Sequence, residues 1–212
     1  MKLTIFGATG LVGGQCLTQC LEAGHDVTLL LRTPGKLSDE LRSRVHVVEG
    51  DALDAAVVAR ALPDGTAGVL FAIGVDKHSP ENLCTDVTRH ILAAMLRVGA
   101  CRLVWVGGGS TLVARDVVTF GARFVEFFAS TFMGLRHRDK QQQLELLAVN
   151  KQVEWIGLRP LQIRKGPKRE VYRVGYDRFS GMSSINAADV AHGMLAMLDD
   201  DTWLHEMPII QY

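Results

Sequence analysis

The sequence predicts an α/β fold, a doubly wound and mainly parallel sheet with helices on both faces and a small C-terminal extension. Three observations point there. Short, β-rich apolar runs alternate along the chain with segments of helical spacing. Those runs are continuously apolar, the pattern of strands whose two faces are both covered by helices. The first of them ends in a glycine-rich turn that opens a helix.

Taken in order, the strand candidates are Leu3–Phe6, Val27–Leu31, Val45–Val48, Gly68–Ile73, Arg102–Val106 and Val153–Leu158. Between them, Leu11–Ala23, Ala52–Ala61, Leu83–Val98 and Lys140–Val149 carry apolar residues at helical intervals. After Pro160 a basic, irregular stretch leads to a strand at Val171–Tyr176, a helix at Ala187–Leu198 and a last short strand near Pro208–Tyr212. The side chain of Asn186 is expected to cap that helix, with Asp189 in its first turn facing the positive end of the helix dipole. Residues 110–138 fit the alternation least. They hold Phe120, Phe124, Phe127, Phe128, Phe132 and Met133 at near-helical spacing. That suits either a helix packed on the core or an apolar wall over a flat aromatic substrate.

A chain of 212 residues is expected to form one domain, with residues 161–212 supplying the C-terminal part of the substrate side. A hydrophobic share of 48% against 22% charged excludes a disordered chain. Basic and acidic residues number 23 each, so no overall field draws the protein to nucleic acid or to an acidic membrane. The one basic concentration, residues 159–178, sets seven basic residues against two acidic ones. It reads as a solvated loop or, beside a cleft, as an attractor of acidic groups on a ligand. Cys16, Cys20, Cys84 and Cys101 lack metal-type spacing and sit in apolar stretches, which suits reduced thiols; Cys16 and Cys20 share one helix face and are expected to pack, and no metal is expected. The longest apolar run, Ala67–Val75, has nine residues and is too short to cross a bilayer. The chain opens on a strand rather than on a signal-type segment, and the expected location is cytoplasmic.

The turn after the first strand reads Gly7-Ala8-Thr9-Gly10-Leu11-Val12-Gly13. Its first glycine permits a sharp turn, its second lets the backbone approach a pyrophosphate, and its third allows close helix–strand packing, while the helix N-terminus offers N–H groups to the anion. All seven residues are expected cofactor contacts. The second strand ends Leu30-Leu31-Arg32-Thr33. Where such a fold offers a carboxylate to the adenosine ribose, this chain has an arginine, which suits a 2′-phosphate. NADP(H) is therefore favoured, with NAD(H) as the second choice. Asp51, with Ala52 beside it, either accepts from an adenine amino group or caps the helix beginning at Ala52. Ala72-Ile73-Gly74 and Gly107-Gly108-Gly109 follow the fourth and fifth strands at the same carboxyl edge, where open α/β sheets hold ligands. The glycine run is expected to let a cofactor ring lie on bare backbone.

These segments together, GATGLVGG, LLLR, EGDALD, VWV before the glycines, VEWIGLRP, INAADVA and the terminal Gln211-Tyr212, resemble the atypical short-chain dehydrogenase/reductase family with a Rossmann-like NAD(P)-binding domain. Within it, the likeness is to biliverdin-IXβ reductases, which also reduce flavins, and to bacterial NADH-flavin reductases. It spans nearly the whole chain. The resemblance implies hydride transfer from nicotinamide C4 to a flat conjugated acceptor, a flavin, tetrapyrrole or quinone, by a monomer or weak homo-oligomer. It carries cofactor contacts onto Gly7, Thr9, Gly10, Val12, Arg32, Asp51 and Ala52.

Two departures bear on the chemistry. The Tyr-x-x-x-Lys pair of short-chain dehydrogenases is missing, since no tyrosine precedes Tyr172, and carbonyl or alcohol chemistry that needs a phenol is disfavoured accordingly. The serine that biliverdin-IXβ reductases carry just after strand five is matched here by glycine, with Ser110 displaced by about two places. The candidate catalytic residues are Ser110, Lys140 and His137. Ser110 and Thr111 could bond a carboxamide or substrate carbonyl, or only their own loop. Lys140 lies near where relatives place a His or Lys, or is a solvated lysine at a helix start. His137 could supply a proton near neutral pH, or belong to a charged loop with Arg136 and Arg138. Two other functions compete with the reductase: an NADP(H)-binding sensor or scaffold with little catalysis, and an NAD(P)-dependent sugar epimerase or dehydratase.

Overall fold

The computed structural model describes residues 1–99, 102–117, 123, 124, 127, 134–176 and 183–212. Six parallel strands form the main sheet: β1 (Lys2–Phe6), β2 (Asp26–Leu31), β3 (His46–Glu49), β4 (Gly68–Phe71), β5 (Arg102–Val106) and β6 (Glu154–Leu158), in the order β3-β2-β1-β4-β5-β6. The helices are α1 (Leu11–Glu22), α2 (Asp39–Arg42), α3 (Ala55–Ala61), α4 (Leu83–Val98), α5 (Gly134–Val149) and α6 (Ala187–Ala196). This is the doubly wound, Rossmann-like α/β fold that the sequence predicts. The order reverses between β1 and β4, and a crevice opens there at the carboxyl ends of the strands.

The continuous apolar runs have a simple cause: successive strand residues feed opposite cores. Leu3, Ile5, Leu29, Val104 and Ile156 pack on one face with Cys16, Leu17 and Cys20 of α1 and Val190, Ala191 and Met194 of α6. Phe6, Val69, Phe71, Leu103 and Trp105 pack on the other with Val58 of α3, Ile91 of α4 and Leu147 of α5. Thr4 is buried within the first run, its hydroxyl donating to the Ala61 carbonyl at 2.8 Å. Cys16 and Cys20 are packing residues. Burial pushes the Cys20 thiol up to about 12 and the Cys16 thiol higher still, away from the thiolate that redox or metal chemistry needs.

α5 begins at Gly134, well before the Lys140 start that apolar spacing predicts, because its inner face is polar. The fully buried Asp139 accepts from the Cys84 and Thr85 amides at 2.8 and 2.9 Å and from the Thr85 hydroxyl at 2.7 Å. A carboxylate on α5 thus caps the N-terminus of α4, where the Asn82 side chain makes no capping bond. Gln143, also fully buried, donates to the Thr88 hydroxyl at 2.8 Å. Residues 136–138, expected as a charged loop, are therefore helical.

Several local expectations are corrected. Asp54, rather than Asp51, caps α3, accepting from Ala56 N at 2.8 Å, so that helix starts at Ala55. Beyond β6, β7 (Gln162–Arg164) pairs in parallel with β9 (Ser184–Asn186), and β8 (Arg173–Gly175) pairs antiparallel with β10 (Ile209–Gln211). Asn186 does not cap α6; its amide donates to the Pro167 carbonyl at 2.9 Å. Asp189, fully buried, serves the incoming loop rather than its own helix, accepting from Arg169 N and Glu170 N at 2.8 Å each and from the Tyr212 hydroxyl at 2.5 Å. Arg159 is fully buried and so leaves the solvated basic patch, and Lys168 pairs with Glu170 at 2.7 Å. Phe124 and Phe127 are exposed; Phe120, Phe128, Phe132 and Met133 lie outside the described residues, as do Cys101, Asp177 and Arg178. No helix among the described residues is long and apolar enough to cross a membrane.

Burial alone would raise the Asp189 carboxyl, but the Tyr212 hydroxyl and the two loop amides outweigh it and hold the group below the usual carboxylate range. Its stabilisation is therefore complete above the unfolded-state value near 3.9 and is lost as pH falls through the lower folded-state value. Asp189→Asn is expected to lower stability by about 1–3 kcal/mol at neutral pH. Urea unfolding at pH 7 and in acid checks this, with the gap between variant and parent closing toward acid.

Candidate functional site

The crevice is built outward from the turn after β1. Gly7 has φ +88°, in the left-handed region that favours glycine, and a Cβ there would lie 2.6 Å from the Ala72 carbonyl oxygen. A Cβ on Gly13 would overlap the Gly7 carbonyl, so α1 lies hard against the exit of its own strand. Gly10 N donates to Gly7 O at 2.9 Å and closes the turn. α1 then starts without a side-chain cap and without an acidic residue in its first turn. Its first N–H groups thus have no side-chain competitor for an anion.

On one side of this turn is a compartment of about 560 Å³, bordered by Gly7, Thr9, Gly10, Arg32, Asp51, Ala52, Ala72, Ile73 and Gly74, all sequence candidates. Thr33, Lys36 and Asp76 border it too. Arg32 is exposed, and neither it nor Lys36 is paired with a carboxylate among the described residues. Asp51 Oδ1 accepts from Leu53 N at 3.0 Å in a local turn. Lys36 was not singled out from sequence; its signal is a second cation four places after Arg32, carried back to the crevice by the 3-10 turn Pro34–Lys36.

On the other side is a compartment of about 400 Å³ that shares Gly10, Ala72, Ile73, Gly74 and Val75 with the first. Leu11, Val12, Val75, Val106 and Ile163 give it apolar walls, and Ser110, His137 and Lys140 line it. The Ser110 hydroxyl lies 3.2 Å from His137 Nδ1. Lys140 is not a solvated helix-start residue: its ammonium donates to the Val106 carbonyl at 3.1 Å and to Gln143 Oε1 at 3.0 Å, over the faces of Phe71 and Trp105. Gln143 is itself held by Thr88, so a buried relay fixes the cation. Ile163 and this relay were missed, because one is a lone isoleucine in a basic stretch and the other spans three helical positions without apolar spacing.

Three of the expected cofactor contacts border neither compartment. Ala8 is buried, Gly13 faces Gly7, and Gly109 packs on residue 161, where a Cβ would come within 2.5 Å of the Leu161 backbone. Gly107 is likewise closed off by Met207 on its Cβ side. The glycine run therefore serves packing beneath the loop first, and of the three only Gly107 and Gly108 border the cleft. Thr111 is buried, with its carbonyl accepting from Arg159.

The chain matches the NAD(P)H-binding family over residues 7–201 and belongs to it. Binding of a nicotinamide cofactor follows from that membership. The uncharacterized protein YwnB of Bacillus subtilis is 25% identical over 206 residues, covering 94% of this chain and 92% of its own. Among solved structures, a Burkholderia pseudomallei protein assigned as exported superposes with a TM-score of 0.81 at 25% identity, covering 100% of both chains. ChuY of Escherichia coli O157:H7, an anaerobillin reductase, superposes with a TM-score of 0.80 at 20% identity, covering 100% of this chain and 97% of its own. Structures assigned as an NADH-flavin reductase and as an epimerase share the fold as well.

The turn geometry generates a test of binding. Gly10 has φ −85°, open to any residue, and a Cβ there meets only the Gly7 carbonyl oxygen at 3.2 Å and the Ala72 oxygen at 3.9 Å. Gly10→Val should therefore fold while its side chain fills the junction of the two compartments. Calorimetry is expected to show nicotinamide dinucleotide affinity lowered by at least a hundredfold, with the far-ultraviolet dichroism of the parent retained.

Proposed function

We propose that this protein is an NADPH-dependent reductase that delivers hydride to a flavin or a similar flat conjugated acceptor. The observation that carries the reading is the pairing of a compartment edged by two cations with an apolar compartment that contains no phenol. When bound, the nicotinamide supplies the hydride. In this reading Arg32 and Lys36 hold the 2′-phosphate, the turn Gly7–Val12 and the start of α1 hold the pyrophosphate, and Asp51 with Ala52 meets the adenine. Ala72–Gly74 with Gly107 and Gly108 border the nicotinamide. Residues after 161 complete the acceptor side through Ile163.

The protic groups take modest roles. A flavin can draw its balancing proton from water, so no acid need be poised at the site. The Lys140 ammonium, already bound to the Val106 carbonyl and Gln143 Oε1, adds only a modest positive charge beside the acceptor, and the Ser110 and His137 pair offers hydrogen bonds at the acceptor edge. Sugar epimerase or dehydratase chemistry is the poorer fit. The chain has three tyrosines, and each is engaged away from the cleft: Tyr172 with His192 at 2.8 Å, Tyr176 with Met207 N at 3.0 Å and Tyr212 with Asp189. Burial, with carboxylates nearby, holds all three phenols above their ordinary value, the wrong direction for a tyrosine that must exchange a proton near neutral pH.

Steady-state oxidation of NADPH with FMN, FAD, riboflavin, biliverdin and simple quinones tests the reading; at least one should be turned over. NADPH binding with no turnover of any acceptor, together with nucleotide-dependent capture of one defined partner, would favour a sensor or scaffold instead. Arg32→Glu is expected to weaken NADP(H) by roughly 1.5–3 kcal/mol while sparing NAD(H); equal losses for both would remove Arg32 from phosphate recognition. Ser110→Ala and Lys140→Met should each lower turnover by less than about tenfold, short of the 10²–10⁴ that a general acid contributes.

A further inference from the structure

Outside the cleft, the structure holds an ion pair in which both side chains are fully desolvated. Arg159, the residue after β6, and Asp116, in the segment after β5, have side chains only 1% and 2% exposed. Nη1 and Nη2 of Arg159 reach the two carboxylate oxygens at 2.8 and 2.5 Å. The same guanidinium donates to the Thr111 carbonyl at 2.5 Å and, through Nε, to the Met207 carbonyl at 2.6 Å. Asp116 in turn accepts from Val113 N at 2.7 Å. One side chain thus ties the segment carrying Ser110 to the end of β6 and to the approach to β10.

A buried pair is a weak device for raising stability, because the desolvation of both charges offsets most of their attraction. What this one does is local. Among the described residues, the segment from Gly107 to Asp116 has no ladder partners of its own beyond Gly107 N, which donates to Leu158 O at 2.8 Å. Its place relative to β6 is set in the interior by Arg159 and by Gly109 lying against residue 161, with Leu112 packed on Ile209 and a more exposed Arg115–Glu206 ion pair further along. Gly107, Gly108 and Ser110 at its start form one wall of the second compartment. We infer that the Arg159–Asp116 pair is a positioning device that fixes the Ser110 wall of the acceptor compartment, without touching the ligand. The inference rests on the reading of that compartment as the acceptor side. No residue bordering the first compartment belongs to the segments that Arg159 ties together, and in the reading above those segments meet the dinucleotide only through Gly107 and Gly108 beside the nicotinamide, so dinucleotide affinity is expected to depend on the pair much less than acceptor turnover does.

The test is Arg159→Lys, which keeps the charge but cannot make the forked contact and the two carbonyl bonds together. Asp116→Asn is the milder companion. Hydrogen exchange should rise in a peptide spanning residues 107–117 and stay unchanged over residues 7–13. With the acceptor that the parent turns over best, kcat/KM should fall more than tenfold, exceeding the effect of Ser110→Ala, while the Kd for NADPH rises by less than about threefold. Unchanged exchange over 107–117, a kcat/KM within twofold of the parent, or a parallel loss of NADPH affinity would each overturn the inference. So would failure of both variants to fold, which would make the pair a determinant of global stability. If the parent turns over no acceptor, the functional reading fails, and the exchange measurement still decides whether the pair fixes the loop.

Discussion

The site depends on one steric constraint, the contact of α1 with the exit of its own strand. Gly13 lies so close to the Gly7 carbonyl that no side chain fits between them, and Gly7 in turn leaves no room beside Ala72. Those contacts draw the start of α1 into the crevice between β1 and β4, with Gly10 bare at the junction of the two compartments. A helix end that lacks a carboxylate or hydroxyl cap of its own offers its amides to an anionic ligand. At Gly107 and Gly109 the lack of a side chain instead lets the loop settle on its neighbours.

The opposite end of the cleft is held differently. There the chain relies on buried polar groups: Asp139 capping α4 from α5, Gln143 bridging Thr88 to Lys140, and Arg159 with Asp116 beneath the Ser110 loop. Such groups give little net stability but are strongly directional, and each is expensive to leave half-satisfied. This suits a region that must present a cation and a hydroxyl at fixed places beside an apolar wall. It also explains why this end carries three polar side chains in a compartment whose remaining side chains, Leu11, Val12, Val75, Val106 and Ile163 among them, are apolar.

The two ends were unequally legible in the sequence. The sheet strands, α1 and the glycine turn between β1 and α1 were readable because apolar runs and glycine spacing report directly on burial and backbone geometry. The start of α5 was not, since the residues facing α4 are Asp139 and Gln143, which apolar periodicity cannot see. Asp189 reads as a first-turn residue at the dipole, yet its partners lie about twenty positions upstream and at Tyr212, a long-range pairing with no local signature. Arg159 reads as one more cation in a basic stretch, and only the fold brings Asp116 to it. Lys140 was named for its position and misread for its environment, because its partners Val106 and Gln143 are set by tertiary packing.

The central claim is that one continuous cleft reads a nicotinamide dinucleotide at its cationic end and stacks a flat acceptor at its apolar end. A crystal structure of the protein with NADP⁺ and FMN tests it most directly. The account predicts the 2′-phosphate within hydrogen-bonding reach of Arg32 and Lys36, and the flavin ring in the compartment of Ser110, Lys140 and Ile163. The reacting atoms of the two rings should lie near 3–3.5 Å apart. A flavin bound elsewhere on the protein, or a nicotinamide turned away from that second compartment, would contradict it.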